Sequence, residues 1–169
     1  SYLLEFKNAM YLIFSPILNL IEKIPMPLTK KLEYFQRSKH KEIVLIGRHR
    51  MGGMFYDTLK RMKKSMIVID NNPDIIRKMV NREESCVYGD LSNPEVLEKT
   101  NLNKVKVIIS TAPAEEDSLF LLAYVKKRNP KIKILVTARH AYEADKLYKN
   151  GADYVILPNI LSGEKVSLI

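Results

Sequence analysis

EIVLIGRHRMGG, residues 42–53, runs through a helical stretch into SMIVID, residues 65–70. A short apolar strand enters a glycine-containing turn, a helix follows, and a second apolar strand ends on Asp70. This is the order of a βαβ unit that binds a dinucleotide or a related adenosine nucleotide. Such a unit places its ligand beyond the carboxyl ends of the strands.

The pattern continues on both sides. After the strand Ile43–Ile46, a helix is expected from about Gly52 to Met62, then a strand over Met66–Ile69. Asn72 caps a helix that has Pro73 at its first position and runs to about Val80. A strand over Ser85–Tyr88 follows, and Ser92-Asn93-Pro94-Glu95 opens the next helix in the same way. The remaining strands fall at Val105–Ile109, Lys133–Val136 and Tyr154–Leu157, separated by helices over about 115–128 and 141–149. Six β-branched-rich runs alternating with helices predict an α/β fold. The expected form is a Rossmann-like, doubly wound parallel six-stranded sheet, strand order 3-2-1-4-5-6, preceded by an N-terminal amphipathic helical linker.

The strand ends supply the candidate ligand groups. Gly47-Arg48-His49-Arg50-Met51-Gly52 fits the phosphate-turn fingerprint at its first and third glycines, with His49 in place of the second. A Cβ at His49 narrows the approach of a pyrophosphate, but the helix N-terminus still offers N–H groups and a positive dipole end. Arg48 and Arg50 can add charge. Asp70 lies 23 residues after Gly47, where a carboxylate can accept both ribose hydroxyls and repel a 2′-phosphate. The alternative is an acid stabilising the next helix. Asn71 follows it, and Gly89-Asp90 ends the third strand, where Asp90 can accept from an adenine amino group or serve the turn. Thr111 offers a hydroxyl, and Arg139 can reach a phosphate, a partner subunit, or Glu143 in a surface ion pair.

No catalytic constellation accompanies this set. His40, His49 and His140 are scattered without metal-ligand spacing, and there is no nucleophile elbow or P-loop lysine. No metal site and no enzyme activity are expected. An oxidoreductase would need a substrate domain, and only residues 159–169 follow the last strand in this sequence. The single cysteine, Cys86, excludes an internal disulfide framework and suggests a buried thiol in a reducing compartment.

Net charge is +9. Residues 1–41 hold seven Lys/Arg against three Asp/Glu, and Lys23–Lys41 hold six against Glu33 alone. No base-stacking aromatic array favours nucleic acid; an anionic membrane surface on the cytoplasmic side fits better. The opening SYLLEFKNAMYLIFSPILNLIEKIP has no basic leader region or small-residue cleavage site, and Glu5, Lys7, Asn8 and Pro16 interrupt any transmembrane run. Its apolar residues recur at steps of three and four, as in an amphipathic helix. It starts on Ser1, as a piece of a longer protein would.

The pieces VLIGRHRMGG, VIDNNP, YGDLSNPEVLEKT, VIISTAPAEEDSLF, TARH and LYKNGADYVILPNILSG, spread over residues 42–169, resemble the N-terminal lobe of the RCK domain. That domain, also called KTN or TrkA-N, regulates potassium channels and transporters. The resemblance implies nucleotide contacts at Gly47, Gly52, Asp70, Asp90, Thr111 and Arg139. The implied ligand is NAD(H), AMP, ADP or ATP, with an AMP-like nucleotide or NAD favoured. It also implies a homodimer, with residues 159–169 beginning a crossover helix. Ser118 stands where an Asn is frequent, and the family's C-terminal lobe is missing. Residues 1–25 resemble the junction after the last membrane helix of Kef-type monovalent cation/proton antiporters. The expected organisation is therefore a membrane-proximal helix and basic linker over residues 1–41 and a nucleotide-binding lobe over 42–158. The lobe would lie on the cytoplasmic face of the cell membrane, joined to a transmembrane transport domain of the same polypeptide. The alternative is the gating-ring domain of a potassium channel or of a Trk/Ktr-type uptake system.

Overall fold

A computed structural model describes residues 34–35 and 41–158. The expected amphipathic helix, most of the basic linker and the expected crossover helix after residue 158 lie outside the described residues. The strands are β1 (Tyr34–Phe35), β2 (Ile43–Ile46), β3 (Met66–Asp70), β4 (Cys86–Tyr88), β5 (Val107–Ser110), β6 (Lys133–Thr137) and β7 (Tyr154–Ile156). The helices are α1 (Arg50–Arg61), α2 (Pro73–Asn81), α3 (Pro94–Glu98), α4 (Glu115–Arg128) and α5 (Ala141–Lys149).

They form one sheet of order β1-β4-β3-β2-β5-β6-β7. The strands from β2 to β7 pair in parallel, in the doubly wound order expected. The period-2 alternation of β2 shows why both faces need covering. Ile43 and Leu45 join Tyr56 of α1 and Ile76 and Met79 of α2 in one core cluster. Val44 and Ile46 join Leu97 of α3, Leu121 and Val125 of α4 and Leu147 of α5 in the other. The connection through α3 thus changes face between β4 and β5, and β2 becomes the switch point of the sheet.

Both Asn-Pro signals act as expected. Asn72 Oδ1 accepts from the Asp74 N–H at 2.9 Å, and Asn93 Oδ1 from the Glu95 N–H at 3.0 Å. Other details differ. β5 begins at Val107 because Lys106 and Val107 N–H groups both donate to the Glu42 carbonyl, while Val105 is turned into a preceding loop, its N–H on Leu102 O. Tyr34–Phe35, inside the expected linker, pairs antiparallel with β4 and covers an otherwise open sheet edge. Cys86 is buried, as its apolar strand predicts, and burial, with Glu84 nearby, pushes its thiol up to about 11.

The β6–β7 corner is tied by Asp153, whose carboxylate meets Lys126 at 2.8 Å, Lys133 at 2.7 Å and the Ile134 N–H at 2.9 Å. Burial opposes its ionisation, but the two ammonium groups and the N–H outweigh it and hold the carboxyl well below the usual range. A depressed folded-state pKa means stability that is present above the unfolded value near pH 4 and lost as pH falls below it. Asp153→Asn is expected to lower stability at pH 7 by about 2 kcal/mol. The gap from wild type should narrow as pH falls below about 4 and go on narrowing toward the acid end of the titration. Denaturant melts at a series of pH values check both; a gap independent of pH would contradict the assignment.

Candidate functional site

The turn after β2 is built by two glycines and a threonine. Gly47 adopts a φ of +79° and its N–H donates to Ile69 O at 2.8 Å. Thr111, at the end of β5, donates its backbone N–H to Ile46 O at 2.9 Å. Its hydroxyl lies 3.1 Å from Ile46 O and 3.2 Å from Gly47 O. Gly52, in the first turn of α1, packs against the same turn; a Cβ on it would lie 1.9 Å from Gly47 O. These contacts press the start of α1 onto the strand ends. The helix begins at Arg50, two residues earlier than expected, with His49 extended in front of it and no acid in its first turn. Its N-terminus therefore keeps its positive end for an anion.

Asp70 is 7% exposed. Its Oδ2 accepts from the Arg48 N–H at 2.7 Å and its Oδ1 from the Asn72 N–H at 2.8 Å. The carboxylate so fastens the β2 turn to the start of α2, a role beyond the two weighed from sequence. Asp90 Oδ1 accepts from the N–H and the hydroxyl of Ser92, both at 2.9 Å, and these bonds hold its carboxyl below the usual range. Glu143 accepts from the backbone N–H of Arg139 at 2.7 Å. The contact is with the main chain, in place of the surface ion pair, and Arg139 is exposed at the cavity.

A cavity of about 610 Å³ joins these groups, within the range of small-molecule sites. Asp70, Asn71, Gly89 and Asp90 line it on one side of β2, Gly47, His49, Arg50 and Met51 at the turn, and Thr111 and Arg139 on the other side. Two of the twelve expected residues do not line it. The Arg48 guanidinium packs 3.8 Å from the centre of the buried Tyr56 ring, a cation–π contact that turns its charge away from the cavity. Gly52 is buried under the turn, where it acts through close packing.

Sequence reasoning passed over Asp117. It lines the cavity from the first turn of α4, where an acid is unremarkable because it suits the helix dipole. Burial, then the charges of Asp90 and Glu116, push its carboxyl up. Ala112, Pro113, Thr137 and Ala138 also line the cavity, and their signal was adjacency to Thr111 and Arg139. Among the described residues no group of His, Cys, Asp and Glu is placed to hold a metal ion. No helix among them is long and apolar enough to cross a membrane.

The arrangement presents a cationic turn between acceptor carboxylates, with an apolar lining from Ile46, Ile69 and Leu91. The sequence model of the TrkA-N domain matches residues 43–158. The chain is 27% identical over 128 residues to potassium channel protein 1 of Methanocaldococcus jannaschii, covering 75% of this chain and 38% of that protein. It is 24% identical over 114 residues to YbaL of Escherichia coli K12, provisionally a cation/proton antiporter, covering 68% of this chain and 20% of that one. It therefore spans well under half the length of these relatives. Among solved structures, the TrkA-N domain of E. coli inner membrane protein ybaL superposes with a TM-score of 0.71 at 21% identity, covering 77% of this chain and 97% of that one. The Kef C-terminal domain of Shewanella denitrificans in its AMP-bound form gives 0.65 at 18%, with coverages of 75% and 79%. The GsuK channel bound to NAD gives 0.64 at 16%, with coverages of 86% and 27%.

Proposed function

The chain belongs to the TrkA-N domain family, and from that premise we propose that its strand-end cavity binds an adenosine nucleotide whose occupancy biases a monovalent-cation pathway in a membrane. The observation that carries this reading is the convergence of Asp70, Asp90, Thr111 and Arg139 on one cavity beside the open N-terminus of α1. In it, the α1 N-terminus and Arg50 hold a phosphate, Asp70 accepts from the ribose hydroxyls, and Asp90 accepts from the adenine amino group. Arg139 takes a second phosphate or a partner subunit. His49 crowds the path of a pyrophosphate, which favours an AMP-like ligand. A full NAD remains in play through the cavity's extension past Thr111. The AMP carried by one structural neighbour and the NAD carried by another support the ligand class.

Loss of bound nucleotide should be visible as loss of stability. A ligand at a hundred times its dissociation constant is expected to add about 2.7 kcal/mol. Thermal shift of nucleotide-free protein with NAD, NADH, AMP, ADP and ATP is the measurement, and no shift with any of them would end the nucleotide reading.

For the pathway, a Kef-type potassium or sodium/proton antiporter comes first, with residues 1–41 leading from the membrane, 42–158 forming the ligand lobe and 159–169 starting a crossover to a second copy. It is supported by the Kef and ybaL neighbours. A gating-ring domain of a potassium channel is the second reading, favoured by the identity to potassium channel protein 1. In either case the domain sits on the cytoplasmic face and acts by differential affinity for two states of the pathway. The full-length protein in proteoliposomes separates the readings. Nucleotide-dependent proton movement on addition of potassium or sodium supports the antiporter, and cation flux without protons supports the channel. Exchange that is equal with and without each binding nucleotide would overturn regulation.

A further inference from the structure

In a parallel sheet every strand starts at one end, and here that end is opposite the cavity. Backbone hydrogen bonds knit its loops into a rim. The Glu42 N–H donates to Ser65 O at 3.2 Å, the Lys106 N–H to Glu42 O at 2.8 Å, and the Lys133 N–H to Lys106 O at 2.9 Å. Exposed along it stand Lys63, Lys64, Lys104, Lys106, Lys131 and Lys133. Two of these have close acidic partners, Lys106 with Glu42 at 2.6 Å and Lys133 with Asp153. At the β4 side the rim opens into a groove of about 390 Å³ lined by five bases, Lys41, Lys60, Lys63, Lys64 and Arg82, against two acids, Glu83 and Glu84, the latter bonded to Lys60.

The two ends of the sheet thus differ in charge balance. The cavity end sets Arg50 and Arg139 among Asp70, Asp90 and Asp117, with Glu115 and Glu116 beside them and Lys146 on Glu115. Helix dipoles account for bases in the last turns of helices, such as Lys60 and Arg61. They do not account for Lys104 and Lys131, which lie in loops beyond the helix ends, where the dipole effect has decayed; Lys63 and Lys64 close the C-terminal cap of α1, their N–H groups on Lys60 O and Leu59 O, and add to the same rim. Neighbouring strands are about 4.8 Å apart, so charges at the starts of adjacent strands lie within one Debye length, roughly 8 Å at physiological salt. In sequence, Arg37 and Lys39 stand between β1 and Lys41.

We infer that this rim and its basic groove dock the domain on an anionic phospholipid membrane, with the nucleotide cavity facing away from it. Lysines dominate, and these point charges on flexible stems suit a fluid array of headgroups better than fixed bidentate recognition. The inference rests on the reading that the domain works at a membrane, and is independent of which nucleotide binds.

The test uses the whole 169-residue chain and vesicles of phosphatidylcholine with or without phosphatidylglycerol. The chain should sediment with the anionic vesicles only. A juxtamembrane lysine contributes about fivefold to such binding, so reversing four, K63E/K64E/K104E/K131E, should weaken it by at least about a hundredfold while the circular dichroism melt stays intact. Single dye labels fix the orientation, because native Cys86 is buried. A dye on Lys104→Cys should be quenched by a lipid-borne nitroxide, and a dye on Glu116→Cys should not. Unchanged binding by the fourfold variant, or equal quenching at both labels, overturns the rim. If that residual binding then disappears on reversing Lys30, Lys31, Arg37 and Lys39, the membrane reading stands on the linker alone. If the wild type ignores anionic vesicles, or binds duplex nucleic acid more tightly at equal salt, the rim fails, and the proteoliposome flux measurement decides the membrane reading separately.

Discussion

Gly52→Ala is expected to destabilise the domain by about 3 kcal/mol or more, whereas Gly53→Ala, one residue on, should stabilise it by about 0.5–1 kcal/mol. Both glycines lie in α1, so helix propensity alone predicts a gain from each. The surroundings reverse the sign at the first. A Cβ on Gly52 would sit 1.9 Å from Gly47 O, 2.8 Å from the Gly47 carbonyl carbon and 3.0 Å from the Thr111 hydroxyl, whereas one on Gly53 meets only Arg48 O at 3.4 Å. The obstacle at Gly52 is backbone, so no rotamer change relieves it; either α1 lifts off or the β2 turn moves. That turn is held by the Gly47 N–H on Ile69 O and by Thr111, so moving it breaks bonds as well. Calorimetry should show Gly52→Ala melting roughly 10 °C lower and Gly53→Ala slightly above wild type. The nucleotide-induced thermal shift should vanish in the first and persist in the second. A Gly52→Ala protein with wild-type melting would mean that the turn is looser than its geometry.

The spacing of Gly47 and Gly52 was enough to locate this turn, because the tight strand-to-helix connection demands small residues at fixed offsets. Strand order followed from the same regularity: each apolar run is short, each connection carries a helix, and the right-handed crossover leaves few arrangements. Side-chain direction was less legible. Arg48 and Arg50 are equivalent in sequence, but Arg50 lines the cavity and Arg48 is drawn to Tyr56. That preference depends on Tyr56 lying two helical turns on, an aromatic that periodicity assigns only to the core. Asp117 was hidden for the opposite reason. Its place in a helix first turn already had a sufficient explanation, so nothing marked the cavity it faces. Tyr34–Phe35 was hidden by brevity, since two residues carry no periodicity and their strand exists only through pairing with β4.

Asp70→Ala should weaken nucleotide binding by at least about tenfold, since each hydrogen bond to a charged group contributes roughly 1.5–3 kcal/mol. It should also lower the stability of the free protein by about 2–4 kcal/mol, because the Arg48 and Asn72 N–H groups lose their acceptor. The two effects have separate causes and need separate readouts. The stability loss comes from unfastening the β2 turn from α2 and needs no ligand. The affinity loss, in the proposed role, comes from the lone pairs that the carboxylate still offers toward the cavity. Asp70→Asn sharpens the point: its amide oxygen can keep one backbone donor, but its NH₂ faces the other donor, so it should resemble alanine. Ligands lacking the hydroxyls then isolate the ribose contact. Wild type should bind 2′,3′-dideoxy-AMP at least about tenfold more weakly than AMP, and the Asp70→Ala variant should bind the two alike. A purely structural Asp70 would weaken both nucleotides equally and leave their ratio unchanged. Equal wild-type affinities for AMP and its dideoxy analogue would therefore confine Asp70 to the turn and leave the nucleotide's sugar to be held by other groups.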